Sequence, residues 1–293
     1  MTRGYWPQLG LLAAMWGASY LFIKVAVDEI APAPMMFLRL ALAAGLLLAF
    51  VARQGALRDV ARAWRAGLVL GVVNAALPFW LIAWGEQYVD SGVGAIANAT
   101  VPLFNALLVI RFLPSERLSR TRLAGVVLGL AGVAVLTGGQ PSAGGWSAVA
   151  GTLAVVVASI AYAAGGVYGQ LRVRATSGPV LAAASMSAGA LVLLPAAAWQ
   201  FPRDMPNAEA VGSVLGLAVL GTALAQLILY RMLRLYGSAR LALVTFLLPP
   251  VALFYGAVLI DEPVRPEAVA GLALILAGVF VGSGKMRRRP QHA

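Results

Sequence analysis

One pattern constrains this chain more than any other: apolar stretches long enough to cross a bilayer recur with the same landmarks in both halves. Pro102 is followed by Glu116, Gly125 and Gly132, and Pro249 by Glu262, Gly271 and Gly278; the glutamates and glycines are offset by 146 positions. Met15-Trp16-Gly17-Ala18 aligns at the same offset with Ala161-Tyr162-Ala163-Ala164. A fixed offset of half the chain is the mark of internal duplication. If each copy holds an odd number of spans, the copies must lie upside-down relative to one another.

The bulk composition points the same way. Of the 293 residues, 61% are hydrophobic and 11% charged, against about 25% charged in soluble domains. There is no cysteine, and the single histidine is His292. Disulfides, thiol chemistry, histidine bases and histidine-rich metal sites are therefore excluded. No phosphate-cradling glycine loop stands in a strand–helix context, and no nucleophile–base pair falls in the spans. The expectation is a non-enzyme without catalytic, metal or cofactor groups. The first apolar stretch reads as a span rather than a cleaved leader, because the second half repeats it.

The spacing predicts an all-α polytopic membrane protein with ten transmembrane helices arranged as two inverted five-helix repeats. The spans run near 6–27, 33–52, 65–87, 92–112, 121–138, 147–170, 178–199, 210–232, 239–260 and 266–284. The first repeat covers 1–138, a Gly/Pro/Ser linker 139–146, the second repeat 147–284 and a basic tail 285–293. With both termini in the cytoplasm, all of the 22 basic residues except Lys24, Arg39, Arg203 and Arg265 fall on the cytoplasmic side. Most acids fall outside or at the outer boundary, Glu86 and Glu262 among them; Asp59 and Glu116 fall inside. The net charge of +11 thus reads as a topology signal facing anionic lipid, not a nucleic-acid surface.

Polar residues inside the spans mark candidate sites. Asn74, Asn98 and Thr245 each stand four residues before a proline: Pro78, Pro102 and Pro249. A helical proline lacks its N–H and pushes against the carbonyl at i−4. An unsatisfied carbonyl in lipid costs several kcal/mol, so each break must face protein, water or ligand. Pro250 similarly frees the carbonyl of Phe246. One reading has the prolines merely kinking the bundle, with side chains capping the broken turns. The other has them lining a midplane cavity, as broken helices at equivalent places in two repeats do. Trp16, Ser19, Tyr20 and Ile23 share one face of the first span; Tyr162, Gln226 and Tyr230 reach similar depth. Lys24, four residues before Asp28, suggests an interfacial ion pair. Arg39 suggests a side chain snorkelling outward. Either cation can instead attract a carboxylate at an outer mouth. No Asp or Glu is expected mid-helix.

The WGS-like opening Trp16-Gly17-Ala18-Ser19, the proline in the fourth and ninth spans, the following glutamate and the Gly-x6-Gly ending each half resemble the EamA-type branch of the drug/metabolite transporter superfamily. The resemblance covers almost the whole chain and is nearest to bacterial, including aromatic, amino-acid exporters. It implies a basket-shaped inner-membrane protein with a central cavity between inverted halves. Tyr162-Ala163 stands where the first half has Trp16-Gly17, so the pocket departs from symmetry. Small multidrug exporters of the superfamily carry a glutamate in their first helix; Met15 and Trp16 stand there here, which argues against proton-coupled export of organic cations. The expected substrate is an amino acid, exported by alternating access and bound by Trp16, Ser19, Tyr20, Asn74, Pro78, Asn98, Pro102, Tyr162, Gln226, Tyr230, Thr245, Phe246 and Pro249, with Lys24 and Arg39 at the outer mouth. The expected partners are that small molecule and the lipid bilayer, with no nucleic acid, in a monomer or homodimer. A different metabolite or drug-like compound, or a non-transporting membrane sensor or scaffold, stays open at this stage.

Overall fold

The computed structural model describes residues 4–112, 120–138, 145–172, 176–236 and 244–282. Glu116, most of the 139–146 linker and the basic tail 285–293 lie outside the described residues. Among those described there is no strand. The helices are α1 (Tyr5–Val27), α2 (Pro32–Arg53), α3 (Leu57–Arg62), α4 (Trp64–Gly71), α5 (Leu77–Gly85), α6 (Ser91–Asn98), α7 (Val101–Phe112), α8 (Arg120–Gly138), α9 (Gly145–Arg172), α10 (Gly178–Gln200), α11 (Ala208–Ala218), α12 (Ala225–Tyr236), α13 (Val244–Leu259) and α14 (Pro266–Gly282). Two π turns, Val72–Ala76 and Val219–Leu224, join α4 to α5 and α11 to α12.

Among the described residues, six helical segments are long and apolar enough to cross a membrane, and Leu123–Leu136, Val244–Leu259 and Pro266–Val281 are shorter apolar helices. Helices dominate because each satisfies its own backbone polar groups, which lipid cannot do. Large side chains such as Leu11, Leu191, Phe254 and Phe280 point outward, where hydrocarbon is the natural solvent. The short helix α3, between the second and third spans, was not anticipated from the sequence; Asp59 and Arg62 pair across its surface at 3.1 Å.

The packing exchanges the two halves. α2 packs on α10, and α8 on α14. The contact of α1 with α13 is mirrored by that of α9 with α6 and α7; the contact of α1 with α11 and α12 is mirrored by that of α9 with α5. Four glycines fix the direction of the α8–α14 crossing. A methyl group on Gly132 would stand 2.8 Å from the Gly271 carbonyl oxygen, and one on Gly278 2.6 Å from that of Gly125. The early glycine of one helix thus meets the late glycine of the other, so the helices run antiparallel. Because they are equivalent members of the duplication, the repeats are inverted. Small residues permit this approach where lipid offers no hydrophobic drive for helix association.

The expected breaks take three different forms. Before Pro78 the helix widens into the first π turn, and the Leu77 N–H reaches back to the Val72 carbonyl. Such bulges often mark functional positions. The helix containing Pro102 is interrupted outright: α6 ends at Asn98, two residues turn, and α7 resumes at Val101. The Thr100 hydroxyl donates to the Ala97 carbonyl at 2.7 Å, meeting part of the local deficit. α13 instead continues through Pro249 and Pro250 without a break. The second π turn, offset by 147 positions from the start of the first, contains no proline and was not anticipated.

A candidate central binding cavity

A cavity of about 240 Å³ opens where both halves converge. α1 supplies Trp16, Ser19, Tyr20 and Ile23, which the 3.6-residue period puts on one face. The first π turn contributes Asn74, α5 Phe79 and Ile82, and the α6–α7 break Asn98 and Val101. The second half contributes Tyr162 from α9, Gly221 from the second π turn, Gln226 and Leu229 from α12, and Thr245 and Leu248 from α13. Both π turns therefore border the same space.

Arg39 belongs to this cavity, which corrects the expectation that it snorkels to an outer mouth. It is 4% exposed. Its Nε donates to Thr222 Oγ1 at 2.8 Å, and its guanidinium carbon lies 3.8 Å from the centre of the Phe79 ring. The Thr222 hydroxyl in turn donates to the Leu217 carbonyl at 2.9 Å. The guanidinium therefore has a hydroxyl and an aromatic face to hold it inside the bundle, which removes the need to reach the interface. A cation over an aromatic face in a desolvated setting contributes about 2 kcal/mol. Phe79 also meets Tyr162 edge to face, with centroids 6.3 Å apart.

A second network fixes Asn98. Its Nδ2 donates to Tyr20 Oη at 2.8 Å, and Ser159 Oγ donates to its Oδ1 at 3.1 Å. The amide at the helix break is thereby oriented by one residue from each half. Asn74 is accommodated because α9 presents a glycine: a methyl on Gly165 would lie 2.8 Å from Asn74 Oδ1.

Several predicted residues stand elsewhere. Pro78, Pro102, Tyr230, Phe246 and Pro249 do not line the cavity. The prolines shape the helices around it, while the Tyr230 ring is laid against Gly178 of α10. Lys24 is not a cavity residue, and the ion pair expected with Asp28 is replaced by another arrangement. Its Nζ donates to the carbonyls of Glu86 at 2.9 Å and Val89 at 3.0 Å, where the end of α5 leaves acceptors without helical partners. Glu86, expected at the outer boundary, is fully buried. Its position after the third span hid this, because burial comes from neighbours remote in sequence.

Glu262 also has a role its loop position did not suggest. Asp261 adopts a left-handed conformation, with φ 54°, accessible to an aspartate at modest cost. The Glu262 N–H then reaches the Gly256 carbonyl at 3.0 Å. Its side chain accepts from Ser91 N at 2.9 Å and from Ser91 Oγ at 2.5 Å. The start of α6 is thus capped by a carboxylate from the other half. Beside it Arg265 Nε stands 3.9 Å from Asp90 Oδ2. No sequence motif signals a cap supplied from 171 residues away. Among the described residues no group of His, Cys, Asp and Glu is arranged to hold a metal.

Known proteins resemble the chain over its whole length. The Escherichia coli K12 protein named as the uncharacterized inner membrane transporter YedA is 29% identical over 287 residues, covering 95% of this chain and 92% of that one. The probable amino-acid metabolite efflux pump of Salmonella typhimurium is 26% identical, covering 92% of each. The probable terminal-alkyne amino-acid exporter of Streptantibioticus cattleyicolor is 30% identical, covering 100% of this chain and 97% of that one. A solved crystal structure superposes with a TM-score of 0.67 at 18% identity, over 97% of this chain and 98% of the other, which establishes likeness of fold. The model of the EamA-like transporter family matches twice, over residues 5–138 and 149–283. With two matches spanning nearly all of the sequence, the chain is a multi-pass membrane protein that belongs to the EamA-like transporter family.

Proposed function

We propose that the protein exports amino acids of broad specificity, aromatic ones included, across the bacterial inner membrane by alternating access through the central cavity. The observation that carries this reading is the cavity's charge: Arg39 is a cation among amides, hydroxyls and aromatic rings, and no Asp or Glu is among the described lining residues. Guanidinium is suited to a carboxylate, which it can grip with two parallel N–H donors. The faces of Trp16 and Tyr162 can receive an ammonium group, as can the amide oxygens of Asn74 and Gln226. Ile23, Ile82, Val101, Leu229 and Leu248 supply an apolar lining for a side chain. The volume lies at the small end of ligand pockets, roughly 300–1,000 Å³, which suits a metabolite rather than a large drug.

Two relatives whose names include amino-acid export support the same class. The charge asymmetry of the loops supports cytoplasmic termini. In this reading the glycine-packed pair α8 and α14 braces the bundle while the remaining helices rock about the cavity. A second reading, export of a carboxylate that lacks an ammonium group, is favoured by the lack of an Asp or Glu among the described residues that line the cavity.

Flux of labelled L-amino acids in proteoliposomes containing the purified protein tests the proposal. Saturable uptake lost in Arg39→Gln is the expected result. Absence of flux across a panel of neutral, aromatic and acidic amino acids sinks it. Competition by carboxylates without an amino group that equals or exceeds competition by amino acids favours the second reading.

A further inference from the structure

We propose that Glu86 is a proton-carrying site beside the cavity, neutral in this conformation, and that its deprotonation recruits Lys24 and so links proton movement to transport. The linkage, though not the proton site itself, rests on the transport reading above.

Glu86 is fully buried, and neither of its carboxylate oxygens has a hydrogen-bonding partner among the described residues. An ionised carboxylate in such a place is costly, whereas the neutral acid is tolerated. The residue is placed for use rather than for packing. Its Oε1 and the ring of Tyr20 each come within 3.5 Å of the position a side chain on Gly94 would take. Glu86 and the cavity-lining Tyr20 therefore converge on one gap in α6, and Tyr20 is the hydroxyl that orients Asn98.

The titratable and charged groups facing Glu86 are Lys24 and Tyr20 from α1, Arg39 from α2 and Glu262 from the turn between α13 and α14. α9, packed on the same end of α5, brings Gly151 and Val155 against Gly85. Lys24 exerts the strongest charge effect of these neighbours on Glu86, yet its ammonium is engaged with the carbonyls of Glu86 and Val89. Two arrangements follow. With the acid protonated, Lys24 holds the carbonyls at the end of α5. When the proton leaves to water, the carboxylate that remains carries a full negative charge, and Lys24 moves from the carbonyls to it. Reprotonation from the opposite side returns one proton and releases Lys24. The α5–α6 connection, which leads directly to the Asn98 break, changes its partners each time.

Two measurements on the full-length protein test this. Infrared difference spectra during a pH titration read the carbonyl band of a buried carboxylic acid, without any substrate. The expected result is a band that persists above the ordinary carboxyl range in the wild type, is lost in Glu86→Gln and is kept in Glu86→Asp. Absence of such a band in the wild type, or its survival in Glu86→Gln, overturns the proposal. In proteoliposomes carrying a trapped pH dye, L-phenylalanine flux in the wild type should move protons. Glu86→Gln should retain the flux while losing at least tenfold in proton movement per substrate; equal proton movement in both overturns the linkage. If neither L-phenylalanine nor any other amino acid of the panel is transported, the reading of function fails on its own and the infrared titration alone decides the proton site.

Discussion

Arg39 Nε and Thr222 Oγ1 meet at 2.8 Å across 183 residues of sequence. This bond joins the second span of one repeat to the π turn of the other, and it orients the guanidinium at the cavity wall. Thr222→Val keeps the shape and removes the acceptor. A hydrogen bond to a charged group contributes about 1.5–3 kcal/mol, so KM for a carboxylate substrate should rise about tenfold or more with the protein still inserted. Arg39→Lys should not restore affinity, because a point charge cannot reproduce the planar fork. Concentration-dependent flux in proteoliposomes, normalised to inserted protein, checks both; an unchanged KM in Thr222→Val removes this role from the bond.

Asn98 and Gln226 enter the cavity from opposite halves. The double substitution Asn98→Ala with Gln226→Ala removes two polar contacts while leaving the apolar lining intact. Transport should fall at least tenfold with membrane insertion unchanged. Tyr20→Phe, which deletes the acceptor of the Asn98 amide, should weaken transport less than Asn98→Ala. The comparison is made by flux at equal protein density, and wild-type rates in the double variant would exclude these amides from the site.

The duplication, the succession of apolar spans and the face bearing Trp16, Ser19 and Tyr20 were legible because helical periodicity and a constant offset act locally along the chain. The prolines correctly marked disrupted helices near 74–78 and 98–102, but the form of each disruption was not legible. A π turn, a complete break and a continuous helix depend on which neighbour satisfies the freed carbonyl, and that neighbour lies in another span. The surroundings of Arg39 and Lys24, and the burial of Glu86 at the end of its span, were not legible for the same reason. Hydropathy sets the expected cost of burying each group. The compensation comes from Thr222 and Phe79 for Arg39 and from the Glu86 and Val89 carbonyls for Lys24, all remote in sequence. The second π turn gave no signal, since Val219–Leu224 contains neither proline nor asparagine.

Gly132 packs against the Gly271 backbone, and a methyl there would stand 2.8 Å from a carbonyl and 2.9 Å from a backbone nitrogen. Backbone cannot yield as a side-chain tip can, so Gly132→Leu should separate α8 from α14 and lower the melting temperature in detergent by several degrees. Gly166→Ala is the matched control, because a methyl there meets nothing within 4 Å. Alanine favours helix by roughly 1 kcal/mol over glycine, so that variant should hold or gain stability. Equal melting temperatures for the two variants would show that the crossing is not close-packed.

Glu262 caps α6 through Ser91. Loss of an N-terminal cap costs about 0.5–2 kcal/mol, and the negative charge adds to it by facing the positive end of the helix. Glu262→Ala should therefore destabilise the protein more than Glu262→Gln, which retains an acceptor. Thermal unfolding in detergent ranks the two, and the reverse order would contradict the cap.

Glu86 makes stability depend on pH in a direction that can be worked out. It is the first residue past the third span, Trp64–Gly85, and desolvation by burial holds its carboxyl well above the ordinary value, with Lys24 opposing the shift. In the unfolded chain the same group ionises at about 4.3. Between that value and the raised folded one, the folded state retains a proton that the unfolded state has lost. Stability is then fully present below the unfolded value and falls as pH rises through the window, until the folded group also ionises. The melting temperature of the wild type in detergent should accordingly decline from acidic towards neutral pH. Glu86→Gln, which stays neutral at every pH, should remove this part of the decline. A wild-type profile that rises over the same interval, or one that Glu86→Gln leaves unaltered, would mean that the buried group is already ionised and compensated in the folded protein.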